Sequence, residues 1–137
     1  MRPVGWTNLA LGAEIGWHML SPGEPFETAR DYSDTRVQKI LILLTDGVQT
    51  IGAMGPSGEI STDAANQTTA ALCESIKSSG VKLFTIAYDV DNTAVYSLMS
   101  GCATGPSSYF EVHDASGIDD VFDAIYATIV ESAWISR

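Results

Sequence analysis

Apolar residues return along this chain in two rhythms, one belonging to helices and one to strands. Leu9, Leu11, Ile15, Met19 and Leu20 recur at helical spacing behind Thr7 and Asn8, either of which can cap the helix, and Ser21-Pro22-Gly23 ends it. From Glu24 to Arg36 the sequence is polar and has no period, so it reads as a surface connection. Lys39-Ile-Leu-Ile-Leu-Leu-Thr45 is a continuous apolar run, the pattern of a strand buried on both faces of a parallel sheet, and it stops at Asp46-Gly47. A glycine-bearing loop runs from Val48 to about Ser61. Thr62 or Asp63 then caps a helix through Ala65, Thr69, Leu72, Cys73 and Ile76, which Gly80 stops. Val81 to Tyr88 reads as a second strand, Asn92 to Ser100 as a short helix, Ser108 to Val112 as a third strand, and Ser116 to about Ser132 as a closing helix. Strands alternating with helices imply an α/β fold, with parallel strands joined by right-handed crossovers and helices over the faces of the sheet. Ligands gather at the carboxyl ends of such strands, where Asp46 and Asp89 both fall.

With 137 residues, 45% hydrophobic and 18% charged, and no repeat or low-complexity tract, residues 1–137 are expected to form one globular domain. The formal charge of −10, from 7 basic and 17 acidic residues, repels a phosphate backbone or an anionic membrane surface, so nucleic acid is not an expected partner. No apolar run approaches the roughly 20 residues that cross a bilayer. The opening Met-Arg-Pro-Val-Gly has no apolar signal region, which places any export signal or anchor outside this sequence. Cys73 and Cys102 read equally as a disulfide or as two buried thiols. Neither a Cys-x-x-Cys spacing nor a nearby histidine cluster points to zinc or thioredoxin chemistry.

The segment Gly5-Trp-Thr-Asn-Leu-Ala-Leu-Gly-Ala-Glu-Ile-Gly-Trp17, followed by Ile-Leu-Leu-Thr-Asp-Gly47, resembles the second and third motifs of von Willebrand factor A domains, a Rossmann-like family with a metal-ion-dependent adhesion site. The resemblance implies that Thr7 coordinates the ion through its hydroxyl and that Asp46 ligates it directly or through water. Such oxygen ligands suit Mg²⁺ or Mn²⁺, or Ca²⁺, and leave a coordination position for a partner's carboxylate. Cys73-Glu-Ser-Ile-Lys-Ser-Ser-Gly-Val-Lys-Leu-Phe-Thr-Ile-Ala-Tyr88, then Gly101-Cys-Ala and Tyr109-Phe, is similar to the carboxy-terminal region of such domains in bacterial tight-adherence (TadG-like) Flp-pilus assembly proteins. That likeness implies a Cys73–Cys102 disulfide and a periplasmic or cell-surface setting, with any membrane anchor outside these residues.

The family's first motif, Asp-x-Ser-x-Ser after a first strand, is absent, since only six residues precede Thr7. The expectation is therefore a truncated von Willebrand factor A fold without its first strand. Metal binding should be weak or absent, and residues 39–45 should form an open apolar edge through which copies of the chain can associate. The function implied is a non-enzymatic adhesion or protein-binding module. The alternatives are a hydrolase or phosphotransferase built on Asp46, which lacks the expected phosphate-binding glycine loop and lysine, and a metal-free structural assembly domain. Asp89-Val-Asp91-Asn92 reads more economically as a turn and helix cap than as added ligands, and His18 and His113 read as surface or packing residues. Ser100-Gly-Cys-Ala-Thr-Gly105 precedes a strand and has no base beside it, and Trp6, Trp17 and Trp134 read as packing residues.

Overall fold

The fold was derived from a computed structural model that describes residues 6–55 and 57–135, the last four of them, 132–135, by backbone alone. Its elements are α1 (Leu9–Leu20), β1 (Ile40–Thr45), β2 (Ala53–Met54), β3 (Ile60–Ser61), α2 (Thr62–Ser78), β4 (Lys82–Tyr88), α3 (Thr93–Cys102), a short 3₁₀ turn (Pro106–Ser108), β5 (Tyr109–Val112) and α4 (Ser116–Ile135). The principal sheet has the order β1-β4-β5 and is wholly parallel, with Ile40 opposite Lys82, Thr45 opposite Ala87, and Thr85 opposite Tyr109. This is the α/β architecture that the alternation of periods predicts.

Capping side chains set the helix boundaries. Asn8 Oδ1 accepts from the Leu11 amide at 3.0 Å, and Asn92 Oδ1 accepts from Ala94 and Val95. The cap of α2 is Ser61, whose Oγ accepts from the Ala64 amide at 3.0 Å, rather than Thr62 or Asp63, because the chain leaves β3 extended and turns helical one residue earlier than its polar pattern suggests. Beyond α2, Gly80 adopts φ +88°, a left-handed conformation that costs glycine nothing, and its amide bonds back to the Lys77 carbonyl. The helices α3 and α4 both run further than their periodicity implies. Within the loop expected from Val48 to Ser61, a two-residue antiparallel pair forms, Ala53 opposite Ser61 and Met54 opposite Ile60.

Two apolar layers sandwich the sheet. On one face Leu9, Ala13, Leu43, Cys73, Ile76, Leu83, Val95 and Met99 bring α1, α2 and α3 against the strands. On the other, Phe84, Ile86 and Val112 meet Val121 and Ile125 of α4. The strand buried on both faces is β4, whose residues Leu83 to Ala87 are all buried. The expectation of two-sided burial for the 39–45 run is corrected accordingly: Leu43 and Thr45 are buried, but Ile42 and Leu44 are exposed, because the α4-side cluster takes in β4, β5 and only Ile40 of β1. As anticipated, this strand is an edge of the sheet among the described residues, where it pairs with β4 alone.

Two links outside the ladders stiffen this arrangement. The Lys39 ammonium donates to the carbonyls of Leu20 and Arg30 and lies 4.3 Å from the centroid of the Tyr32 ring, tying the end of α1 to the polar connection. Cys73 of α2 and Cys102 of α3 form a disulfide across 29 residues, the pairing implied by the resemblance. Closing a loop of that length contributes about 3 kcal/mol in the chain-entropy account. Replacing both cysteines with alanine is expected to lower unfolding free energy by about that amount in denaturant titrations, and an unchanged midpoint would refute the estimate.

Asp34 accepts from the Arg36 guanidinium at 2.8 Å and from Arg30 at 3.1 Å, and these bonds, the Arg36 one foremost, hold its carboxyl at a pKa of about 2, against 3.8 ordinarily. Because the folded value is the lower one, its contribution to local order is present above pH 3.8 and is lost as the pH falls through about 2. Carbon-detected titration of Asp34 by NMR should therefore show a midpoint near 2. A midpoint near 4 would mean that the Arg36 contact does not persist in solution.

Candidate functional site

The rim at the carboxyl end of the sheet is built around the loop that leaves β1. Thr45 is buried, and its hydroxyl donates to the Gly47 carbonyl at 2.9 Å, which bends the chain at once and leaves Asp46 exposed at the strand terminus. The parallel register that sets Thr45 opposite Ala87 brings Asp46 and Asp89 to the same rim. Asp89 adopts φ +48°, a conformation aspartate tolerates, and its amide donates to the Val112 carbonyl, so its backbone joins β4 to the end of β5. Asn92 caps α3 and Val90 is buried, so residues 89–92 act as the turn and cap expected of them.

The residue that organises this rim is Gln49, which no motif in the sequence marks. It is only 3% exposed; its Oε1 accepts from the Leu9 amide at 3.3 Å, and its Nε2 donates to Asn66 Oδ1 at 2.7 Å and to Thr69 Oγ1 at 3.1 Å. The side chain thus joins the amino ends of α1 and α2 to the loop. Its neighbour Thr50 completes the junction: Thr50 Oγ1 accepts from the Thr7 amide at 2.6 Å, while the Thr50 and Ile51 amides donate to the Thr7 carbonyl. Thr7 is therefore held by its backbone beside the loop that begins at Asp46. No hydrogen bond joins the two side chains. A buried glutamine in a polar loop has no periodic signature, and only its position three residues after the strand-end aspartate could have drawn notice.

The resemblance implies a divalent ion held by Thr7 and Asp46. Mg²⁺ takes about six oxygen ligands, and a protein site usually supplies several of them, carboxylates foremost. Thr7 and Asp46 offer one hydroxyl and one carboxylate. Among the described residues no group of three or more His, Cys, Asp or Glu side chains is placed to hold a metal ion. These residues do not fit a self-contained divalent-ion site.

Charge is unevenly distributed along the strand axis. The described cations, Arg30, Arg36, Lys39, Lys77 and Lys82, lie toward the amino ends of the strands, where the Lys82 amide donates to the Lys39 carbonyl and Asp34 and Glu74 pair with Arg30, Arg36 and Lys77. The opposite rim carries Asp46, Asp89 and Asp91 without a described cation among them. A phosphotransferase built on Asp46 would need a lysine at that rim, and the lysines stand at the other end. The remaining candidates have ordinary roles. His18 lies 3.8 Å from Glu14 and stacks beside Trp17, whose indole donates to Ser79 Oγ at 3.1 Å. Thr104 exchanges hydrogen bonds with the Leu83 backbone, which makes the Ser100–Gly105 stretch a structural turn. Trp6 is exposed rather than packed, His113 is exposed in the turn before α4, and the side chain of Trp134 lies outside the described residues.

Residues 24–124 match the von Willebrand factor type A domain family. The chain belongs to that family. The match includes Asp46, Gln49 and both cysteines and begins after α1, so the assignment of Thr7 rests on the upstream motif alone. No curated protein sequence matches the chain. Among solved structures, this von Willebrand factor A domain is similar to the pilus adhesin SpaC from Lactobacillus rhamnosus GG, with 17% identity and a TM-score of 0.61 over 99% of this chain and 20% of that one. A structure of SpaC in an open conformation gives 17% identity and a TM-score of 0.58 over 96% of this chain and 19% of that one. The likeness shows a shared fold, and the chain spans about a fifth of those structures' length.

Replacing Gln49 by leucine leaves the Leu9 amide without its partner, at about 1–3 kcal/mol, while the Thr69 hydroxyl keeps its bond to the Ala65 carbonyl. Gln49→Leu should lower stability by about 2 kcal/mol and speed hydrogen exchange at Leu9. Unchanged exchange at that amide would show that the side chain does not hold α1 in place.

Proposed function

We propose that this domain is a non-enzymatic protein-binding module of the adhesion type, belonging to a Tad-like pilus assembly or cell-surface protein and working in the periplasm or at the cell surface. The observation that carries the reading is the match of residues 24–124 to the von Willebrand factor type A family, with Asp46 of that segment exposed on an acidic rim. The similarity in fold to a pilus adhesin and the Cys73–Cys102 disulfide, a bond suited to oxidising compartments, support the same setting. Among the described residues no helix is long and apolar enough to cross a membrane.

Within this family reading, the partner would meet the rim formed by Thr7 and Asp46, its carboxylate bridged by Mg²⁺ or Mn²⁺ where an ion is held. The donor set favours a second form of the same reading, a metal-free assembly domain whose rim contacts its partner directly, because one carboxylate and one hydroxyl hold a hard cation poorly. Calorimetric titration with Mg²⁺ and Mn²⁺, on the natural sequence and on Asp46→Ala, separates the two forms. The expected result is no saturable heat below millimolar concentrations. Micromolar binding abolished in Asp46→Ala would instead restore metal-bridged adhesion. The module reading itself is tested by placing a photo-crosslinking residue at exposed Val48 in the native cell: capture of a protein that falls with Asp46→Ala supports it, and an absence of any captured protein counts against it.

A further inference from the structure

We propose that the β2–β3 hairpin and the amino-terminal half of α2 form a docking groove for a basic segment of the partner protein, which seats an apolar side chain in the groove and sets lysine or arginine around its mouth. The inference rests on the reading of this domain as a protein-binding module and names the chemistry of what it binds.

The groove has a volume of about 330 Å³ and is lined by Met54, Gly55, Ala64, Gln67, Thr68 and Ala71. That size lies at the small end of the roughly 300–1,000 Å³ of ligand clefts, so it suits an anchoring side chain with a little of its backbone. Helical spacing makes the floor: Ala64, Thr68 and Ala71 fall at i, i+4 and i+7 on one flank of α2, while Ala65, Thr69, Cys73 and Ile76 make the buried flank. Thr68 donates its hydroxyl to the Ala64 carbonyl at 2.9 Å, which leaves its methyl group as the apolar part of the floor. The Gln67 side chain makes no hydrogen bond among the described residues, and at the lip its amide is a donor and acceptor for a partner's backbone.

The wall is an ordered turn. The Gly55 amide donates to the Glu59 carbonyl at 2.7 Å, the Glu59 carboxylate accepts from the Ser57 amide at 3.1 Å, and Gly58 turns the chain at φ +82°. Met54 and Ile60 are opposed in the ladder, so their side chains share a face, and they are 71% and 73% exposed. Met54 forms the wall, and Ile60 extends the apolar surface past it. Paired apolar side chains held in water beside an apolar groove mark a contact site, and a methionine adapts its shape to what it meets.

Charge selects the partner. From Ile40 to Ile76 the sequence has no lysine, arginine or histidine, and it has Asp46, Glu59, Asp63 and Glu74. Glu59 folds against Gly55 and Asp63 precedes Ala64, so the groove is bordered by carboxylates on both sides. The next cation, Lys77, is engaged by Glu74 and by the Gly101 carbonyl. A cationic segment is therefore attracted and an acidic one repelled.

Whatever lies beside β1 leaves this groove unchanged. The helix α1 covers β1 through the Gly16–Leu41 contact and meets α2 through Trp17 and Ser79, so it stands between α2 and the outer edge of that strand. The groove's own support is β4 beneath α2 and the Cys73–Cys102 bond to α3.

The test uses the full chain and three fluorescein-labelled hexapeptides: two central leucines flanked by lysines, the same leucines flanked by glutamates, and serines in place of the leucines between lysines. The first is expected to bind with a Kd below about 1 mM in fluorescence anisotropy, and to shift the NMR amides of residues 54–55 and 64–71. The other two should bind about tenfold more weakly or worse. Ala71→Trp fills the groove from an exposed position and should weaken the first peptide about tenfold with an unchanged circular dichroism spectrum, and Met54→Ser, which removes the wall, should act in the same direction. Equal binding of the serine or the glutamate peptide, shifts confined to residues around Asp89 and Asp91, or no binding at millimolar concentration would each overturn the groove. Capture at Val48 that persists beside any of those results would remove the groove and leave the module reading standing, whereas loss of that capture removes the module reading itself.

Discussion

The parallel pairing of β1 with β4 is the constraint from which the other arrangements follow. It fixes six consecutive residue pairs and so decides which side chains of β1 meet the helices and which face away. Leu41 and Leu43 turn to the α1 and α2 side, where Gly16 admits Leu41 closely enough that a methyl in its place would lie 2.6 Å from the leucine Cδ1. Slipping the register by one residue would turn the whole apolar set to the opposite face, which is why a strand in a sheet with helices on both sides tolerates no such error. The same pairing brings Asp46 and Asp89 to one rim and Lys39 and Lys82 to the other end.

On that frame, polar side chains rather than additional strands carry the long-range connections. Gln49 spans 40 residues in sequence to Leu9 and 20 to Thr69, and Lys39 spans 19 to Leu20. Each is buried with its donors or acceptors engaged, and that engagement makes burial of a glutamine or a lysine tolerable. The two act at opposite ends of α1, one at its amino end and the other at its carboxyl end, so the helix is pinned to the β1 segment at both ends while its outer flank stays apolar and open.

Much of this was legible in the sequence because it rests on periodicity. The helices around Ala13, Cys73 and Ile125 and the strands around Leu43 and Ile86 each bury a repeating face, and their boundaries fall within a few residues of the caps Asn8, Asn92 and Gly80. The β2–β3 pair was not legible, because two-residue strands have no period and their apolar residues, Met54 and Ile60, are exposed rather than buried. At the site, the strand-end position of Asp46 followed from the apolar run before it, and the Cys73–Cys102 pairing from the family resemblance. The roles of Gln49 and Thr50 were not, since long-range bonds between a loop and two helix termini leave no local pattern. The 39–45 run shows the limit of composition: a fully apolar strand looks the same whether two helices cover it or one, and only the placement of α4 over β4 and β5 distinguishes them.

The edge and the rim make different demands on the surface, and the geometry lets both be met. The rim lies at the strand ends and presents an acidic, solvated surface suited to a reversible partner. The edge lies along the flank of β1, uncharged over six residues, and suits a contact that persists. Because the rim lies at the strand ends and the edge along the flank, a partner at Asp46 and a strand beside Ile42 would not compete for the same surface.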